Sequence, residues 1–114
     1  MKNIIEDKSF QFAVRIVNLY KYLTGEKKEF VLSKQILSSG TSIGANVAEA
    51  QKAQSMADFN AKMNISLKEA NETHYWLRLL RETEYISNEA FNSLEKDANE
   101  IISILVSICK QTNK

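Results

Sequence analysis

The sequence predicts an all-α fold, an up-down-up-down antiparallel four-helix bundle, and three observations lead there. Apolar residues recur at three- and four-residue intervals along nearly the whole chain, and no segment alternates long enough to read as a half-buried strand. The 114 residues include no proline and only three glycines, too few for the turns of an all-β fold or the phosphate loops of a Rossmann or P-loop enzyme. Four apolar segments are separated by short polar links, which sets sequential helices antiparallel by default. At 13.0 kDa the chain has room for one domain, 1–114, with a core of its own and modest stability, so surplus apolar surface is expected to seek a partner.

The first helix is predicted from about Ser9 to Thr24. Phe12, Ile16, Leu19 and Leu23 form one stripe, and Phe10, Ala13, Val14, Val17 and Tyr20 form another, with Gly25 as the stop. A polar link, Glu26-Lys27-Lys28-Glu29, leads to a second helix from about Leu32 to Gln51. Its middle, Ser38 to Gly44, is poor in helix propensity: each interior glycine costs about 1 kcal/mol against alanine, and Ser and Thr hydroxyls compete for backbone hydrogen bonds. Gly40, Gly44 and Ala48 lie four apart on one face, so close approach of a neighbouring backbone would offset that cost; a loop or kink is the other account.

The third helix is predicted over 55–84, with Ser55 as its cap and Asp58 three residues on completing a capping box. Its stripe runs Phe59, Met63, Leu67, Ala70, His74, Leu77 and Leu80 or Arg81. A new cap at Ser87 opens the fourth helix, 88–111, whose Phe91, Leu94, Ala98, Ile101, Leu105 and Ile108 follow the alternating steps of bundle packing. Beside that seam Ile102, Val106 and Cys109 form a second stripe, and Ile104 falls outside both. A lone bundle needs about three apolar positions in seven per helix, so the surplus predicts burial against another copy, a homo-oligomer.

Few residues are of a type and spacing that catalysis or metal binding needs. His74 is the lone histidine, and a bundle di-iron site needs two Glu-x-x-His pairs. Cys109 lies in an apolar helix and reads as core, and a lone cysteine allows no internal disulfide, which points to a reducing cytoplasmic setting. No export signal follows Met1, because Glu6 and Asp7 interrupt the apolar start. The longest apolar run, Ile101 to Cys109, is less than half of the roughly 20 residues a membrane span needs. The expectation is therefore no enzyme, no metal and no cofactor.

The polar residues Asn46 and Glu49 sit among Ile43, Val47, Ala48 and Ala50, and their best reading is an interhelical or intersubunit network. At these residues the sequence resembles a known family. Gln35-Ile36-Leu37, then Thr41-Ser42-Ile43-Gly44-Ala45-Asn46-Val47-Ala48-Glu49-Ala50, Phe59, and Ser66-Leu67-Lys68-Glu69-Ala70-Asn71-Glu72-Thr73 with Trp76-Leu77, are similar to the bacterial 23S ribosomal RNA intervening-sequence proteins. The resemblance covers about Phe10 to Ile108; Gly44 stands where the family usually has proline and Ala50 where it usually has glycine. It implies a small cytoplasmic bundle that assembles as a ring-like homopentamer. It also implies kinship with the basic, nucleic-acid-binding accessory variability proteins of diversity-generating retroelements. Asn46, Glu49, Glu69 and Glu72 match the family motif and are read as architectural.

Charge tests the nucleic-acid idea. Successive segments 1–30, 31–54, 55–86 and 87–114 carry +2, +1, −1 and −1, so no basic domain emerges, yet oligomerisation could gather lysines onto one rim. The expected function is a non-catalytic, homo-oligomeric scaffold associated with RNA or a ribonucleoprotein, with Lys27, Lys28, Lys34, Lys52, Arg78 and Arg81 as phosphate contacts. The alternative is a protein-interaction adaptor without intrinsic nucleic-acid binding, which the near-neutral charge favours.

Overall fold

The structure, a computed structural model, describes residues 3–112. Four helices account for nearly all of them: α1 Ile4–Gly25, α2 Leu32–Ala50, α3 Met56–Glu82 and α4 Asn88–Thr112; no strand occurs among the described residues. α1 begins five residues before the predicted Ser9. Asn3 caps it, its side-chain oxygen accepting from the Ile5 N–H at 3.1 Å and the Glu6 N–H at 3.4 Å. Glu6 and Asp7 then favour the positive end of the helix dipole, so the acidic pair starts a helix. Gly25 closes α1 as expected, but it is not the left-handed residue of the turn. That position falls three residues later, at Lys28 with φ 54°.

Val31, at the cap position of α2, offers no side-chain hydrogen bond. Glu29 serves in its place: its carboxylate accepts from the backbone N–H groups of Val31, Leu32 and Ser33 at 3.2, 3.0 and 2.7 Å. Only 9% of Glu29 is exposed. Burial by itself would raise its pKa, yet the three N–H donors outweigh burial and hold the carboxyl below its ordinary value. The Ser55 cap of α3 is as expected, accepting from the Asp58 N–H at 3.0 Å, while the Asp58 carboxylate reaches back to the Gln54 N–H. Ser87 likewise accepts from the Ala90 N–H at the start of α4.

α2 is helical through Ser38 to Gly44, because that stretch meets α1 at close range. A Cβ on Gly40 would lie 2.8 Å from both γ-carbons of Ile16, and one on Gly44 would lie 3.2 Å from the Ser9 carbonyl oxygen. Small hydroxyls tie α2 to α3: Ser66 donates to the Ile43 carbonyl at 2.9 Å, and Thr73 meets the Ser39 hydroxyl at 2.9 Å, all four residues buried. α3 meets α4 through His74 and Glu95 at 2.8 Å. α1 and α4 share the thinnest interface. There Arg15 donates to Asp97 at 2.7 Å and to the Ser93 hydroxyl at 2.9 Å, and Lys8 pairs with Glu100. In every one of these helix pairs, rising residue numbers on one helix meet falling numbers on its neighbour.

Phe12, Ile16 and Leu23 of α1, Ile36, Ile43 and Val47 of α2, Met63, Leu77 and Leu80 of α3, and Phe91, Ile101 and Leu105 of α4 fill one core. The surplus apolar residues of α4 are not its exposed face: Ile102, Ile104 and Ile108 are half-buried against this core, and Cys109 is buried. On α1, by contrast, an apolar stripe faces outward, where Phe10 is 65% exposed and Val14 and Val17 stand beside it. The physical reason is position: α4 fits its broad apolar arc between its neighbours, whereas α1 presents its second stripe outward.

Candidate nucleic-acid interface

Five of the six predicted phosphate contacts gather at one end of the bundle. Lys27 and Lys28 lie in the α1–α2 link, Lys34 in the first turn of α2, and Arg78 and Arg81 in the last turns of α3. A concavity of about 510 Å³ lined by Tyr22, Lys27, Arg81 and Asn88, among others, shows that the α1 end and the α3–α4 link adjoin. Lys52 does not belong to this group. It follows Gln51, whose side chain accepts from Asn3 at the opposite end of α1.

Two of the cations are held over aromatic rings. The Arg81 guanidinium stands 3.9 Å from the Phe91 ring centroid, and the Lys27 ammonium 5.9 Å from that of Tyr22. Exposed aromatic surface completes this end: Tyr22, Phe30 and Tyr75 are each about half exposed. Glu26, Glu82 and Glu84 interleave with the cations and moderate the local charge, whereas the Glu29 charge is spent on the α2 backbone. The periodicity of the sequence could not show Tyr22 or Phe30 as surface aromatics, because both resemble core positions until the helix faces are known.

Among the described residues no hydrogen bond or ion pair joins Asn46, Glu49, Glu69 or Glu72 to another helix. Asn46 donates to the Ser42 carbonyl of its own helix at 2.8 Å, Glu72 accepts from Trp76 of its own helix at 3.4 Å, and Glu49 is exposed. Asn46 lies three residues from Ile43, and Glu69 three from Ser66 and four from Thr73, so these two flank the α2–α3 contact that Ser39, Ser66 and Thr73 make. Small hydroxyls take the seam because close-packed helices leave no depth for a longer side chain. Burial foremost, and then the Glu72 charge, raises the Glu69 carboxyl above its ordinary value, with Lys68 opposing.

His74 finds the carboxylate partner that its own helix lacked, in Glu95 of α4. Among the described residues no group of three His, Cys, Asp or Glu could hold a metal ion. Burial pushes the Cys109 thiol up, away from the reactive thiolate. A second concavity, about 670 Å³, runs between α1 and α2 and is chiefly apolar, lined by Phe10, Ala13, Gly44, Ala45 and Ala48. No helix of the described residues is long and apolar enough to cross a membrane.

A four-helix all-α chain with cations and aromatics at one end is the class these features define. The family model described as 23S rRNA-intervening sequence protein matches residues 1–107, and the chain belongs to that family. It is also similar to a crystal structure from Bacteroides thetaiotaomicron described as a protein of unknown function from the S23 ribosomal protein family. Identity is 64%, coverage 95% of this chain and 96% of that one, and the TM-score 0.93. No curated protein matches the chain.

Proposed function

We propose that the chain is a non-catalytic scaffold associated with RNA or a ribonucleoprotein, working as an antiparallel up-down-up-down four-helix bundle that assembles with copies of itself. The observation that carries this reading is the gathering of Lys27, Lys28, Lys34, Arg78 and Arg81 at one end, beside exposed aromatic rings. Phosphate affinity depends on cations brought together, not on net charge, and stacking surfaces suit unpaired bases. The opposed residue order of the contacting helices supports the bundle topology. Self-association is supported by the exposed stripe of Phe10, Val14 and Val17, which a lone soluble chain has no reason to keep outward. Asn46, Glu49, Glu69 and Glu72, none of them bonded to another helix, suit an intersubunit contact in the same assembly.

Light scattering on a size-exclusion column, with and without a short RNA hairpin at low and moderate salt, tests both parts. A ring of five would appear at about 65 kDa, five times 13.0 kDa. RNA should join it at low salt and leave as salt rises. Replacing Lys27 and Lys28 by alanine should lower the slope of log affinity against log salt by about 1.4 to 1.8, and Lys52→Ala should leave it unchanged. A monomer would overturn self-association, and an oligomer that ignores RNA would overturn the RNA part. The adaptor reading would then take its place, favoured by the apolar α1–α2 concavity as a seat for a partner chain.

A further inference from the structure

We infer that the concavity between the end of α1 and the α3–α4 link is a subsite for an unpaired guanine nucleotide of RNA, an inference that rests on the RNA-associated reading above and makes it specific. Its volume of about 510 Å³ falls within the range of small-ligand sites. Three kinds of residue line it: the tyrosines Tyr22 and Tyr85, the cations Lys27 and Arg81, and the acids Glu82 and Glu84. That set is the complement of one nucleotide, with a ring to stack, a phosphate to neutralise and a base edge to read.

The cations are positioned without being spent. Arg81 is stacked on Phe91, yet no ion pair or hydrogen bond among the described residues uses its donors, and Lys27 is placed over Tyr22 in the same way. Neither cation lies within ion-pair distance of Glu82 or Glu84, so both signs remain available at the concavity. A carboxylate only accepts hydrogen bonds, through two adjacent oxygens. The Watson–Crick edge of guanine presents two adjacent donors, N1–H and the N2 amino group, which fit those oxygens side by side. Adenine, cytosine and uracil each place an acceptor beside the donor on that edge, which sets lone pairs against a carboxylate oxygen. The edge is occupied in a duplex, so the base must be unpaired.

The backbone frames the same place. Lys28 and Glu84 are the two described non-glycine residues in the left-handed region, with φ of 54° and 66°. They sit in the two links at this end, and Glu84 lines the concavity. At Glu84 the left-handed turn ends α3, the Tyr85 N–H donating to the Leu80 carbonyl at 2.9 Å and the Glu84 N–H to that of Arg81 at 3.0 Å, which fixes the link that lines the concavity.

The test is fluorescence anisotropy at low salt on the full chain, with three probes: a labelled oligouridylate carrying one central guanine, its adenine counterpart, and free GMP as competitor. The guanine strand should bind about tenfold more tightly than the adenine strand. Replacing Glu82 and Glu84 together by glutamine should erase that preference without weakening the adenine strand. Tyr22→Leu should weaken both strands about tenfold. All three positions reach the surface or its edge, so melting temperature and mass should not change. Equal binding of the two strands, unaltered in the glutamine variant, would overturn the subsite and leave the RNA scaffold standing. GMP competing as well as the guanine strand would overturn the RNA assignment and identify a free nucleotide as the ligand. No binding of either strand would overturn both.

Discussion

Replacing Gly40 by alanine should change sign with its neighbour. In the helix interior the substitution gains about 1 kcal/mol of propensity. The new Cβ, however, would lie 2.8 Å from Cγ1 and Cγ2 of Ile16, closer than packed carbons approach. Ile16 is fully buried and branched at Cβ, so its χ1 has no free rotamer to escape into. Overpacking of this kind costs about 1–3 kcal/mol, and Gly40→Ala should therefore lower stability by up to about 2 kcal/mol, a few degrees in Tm. Ile16→Ala alone should cost about 2–5 kcal/mol through the cavity it leaves. In that background both γ-carbons are gone and only the Cβ at position 16, 3.2 Å away, stays close, so Gly40→Ala should stabilise by up to about 1 kcal/mol. The coupling of about 2 kcal/mol is the size expected of residues in direct contact. Urea unfolding followed by far-ultraviolet circular dichroism measures all four proteins, at one protomer concentration because assembly makes stability depend on it. A stabilising Gly40→Ala in the wild-type background, or an effect of equal sign and size in both, would refute the argument that close packing of α1 and α2 selects glycine here.

Three further outcomes follow from the same geometry. Gly44→Leu should drive a side chain against the Ser9 backbone, where even a Cβ is tight at 3.2 Å, and lower the melting temperature or change the assembled mass; an unaltered protein on both measures would count against the α1–α2 contact. Glu29→Gln should cost about 1 kcal/mol at neutral pH by weakening the cap of α2. Because the folded-state pKa of Glu29 is lowered, its stabilisation is present above the ordinary glutamate pKa and is lost as pH falls through the lower folded value. The two proteins should therefore converge in acid, and a gap that stays constant in pH titrations of stability would show that charge is not what the backbone amides hold. Glu69→Gln has the opposite sign: the folded state raises this pKa, so the ionised form opposes folding at neutral pH. The variant should melt higher than wild type at neutral pH, with the advantage fading as pH falls through the raised folded value toward the ordinary one.

Much of the architecture is carried by residue type and spacing. Four helices, the Ser55 and Ser87 caps, the α1 core stripe of Phe12, Ile16, Leu19 and Leu23, and the seam of Phe91, Leu94, Ala98, Ile101 and Leu105 follow from the 3.6-residue period, because that period puts those side chains on one face whatever they meet. The small-residue face of α2 was legible for the same reason: glycines four apart in a poor helix former make sense where a backbone comes close. The start of α1 was missed because Asn3 precedes a charged turn, and apolar periodicity is silent there. Glu29 was missed because a glutamate two residues before a cap position reads as solvated link until its oxygens are seen on three amides.

The sequence by itself determined the fold class and the four helices, since each of these depends on local propensity and period. Only the tertiary structure decided which of two α1 stripes faces out and that the surplus on α4 is half-buried. The tertiary structure also separated Lys52 from the other five cations, and brought Tyr22, Lys27, Arg81 and Glu84 to one concavity. The reason is physical: a helical period defines faces but not their partners, and residues about sixty apart in the chain become neighbours only when the helices pack.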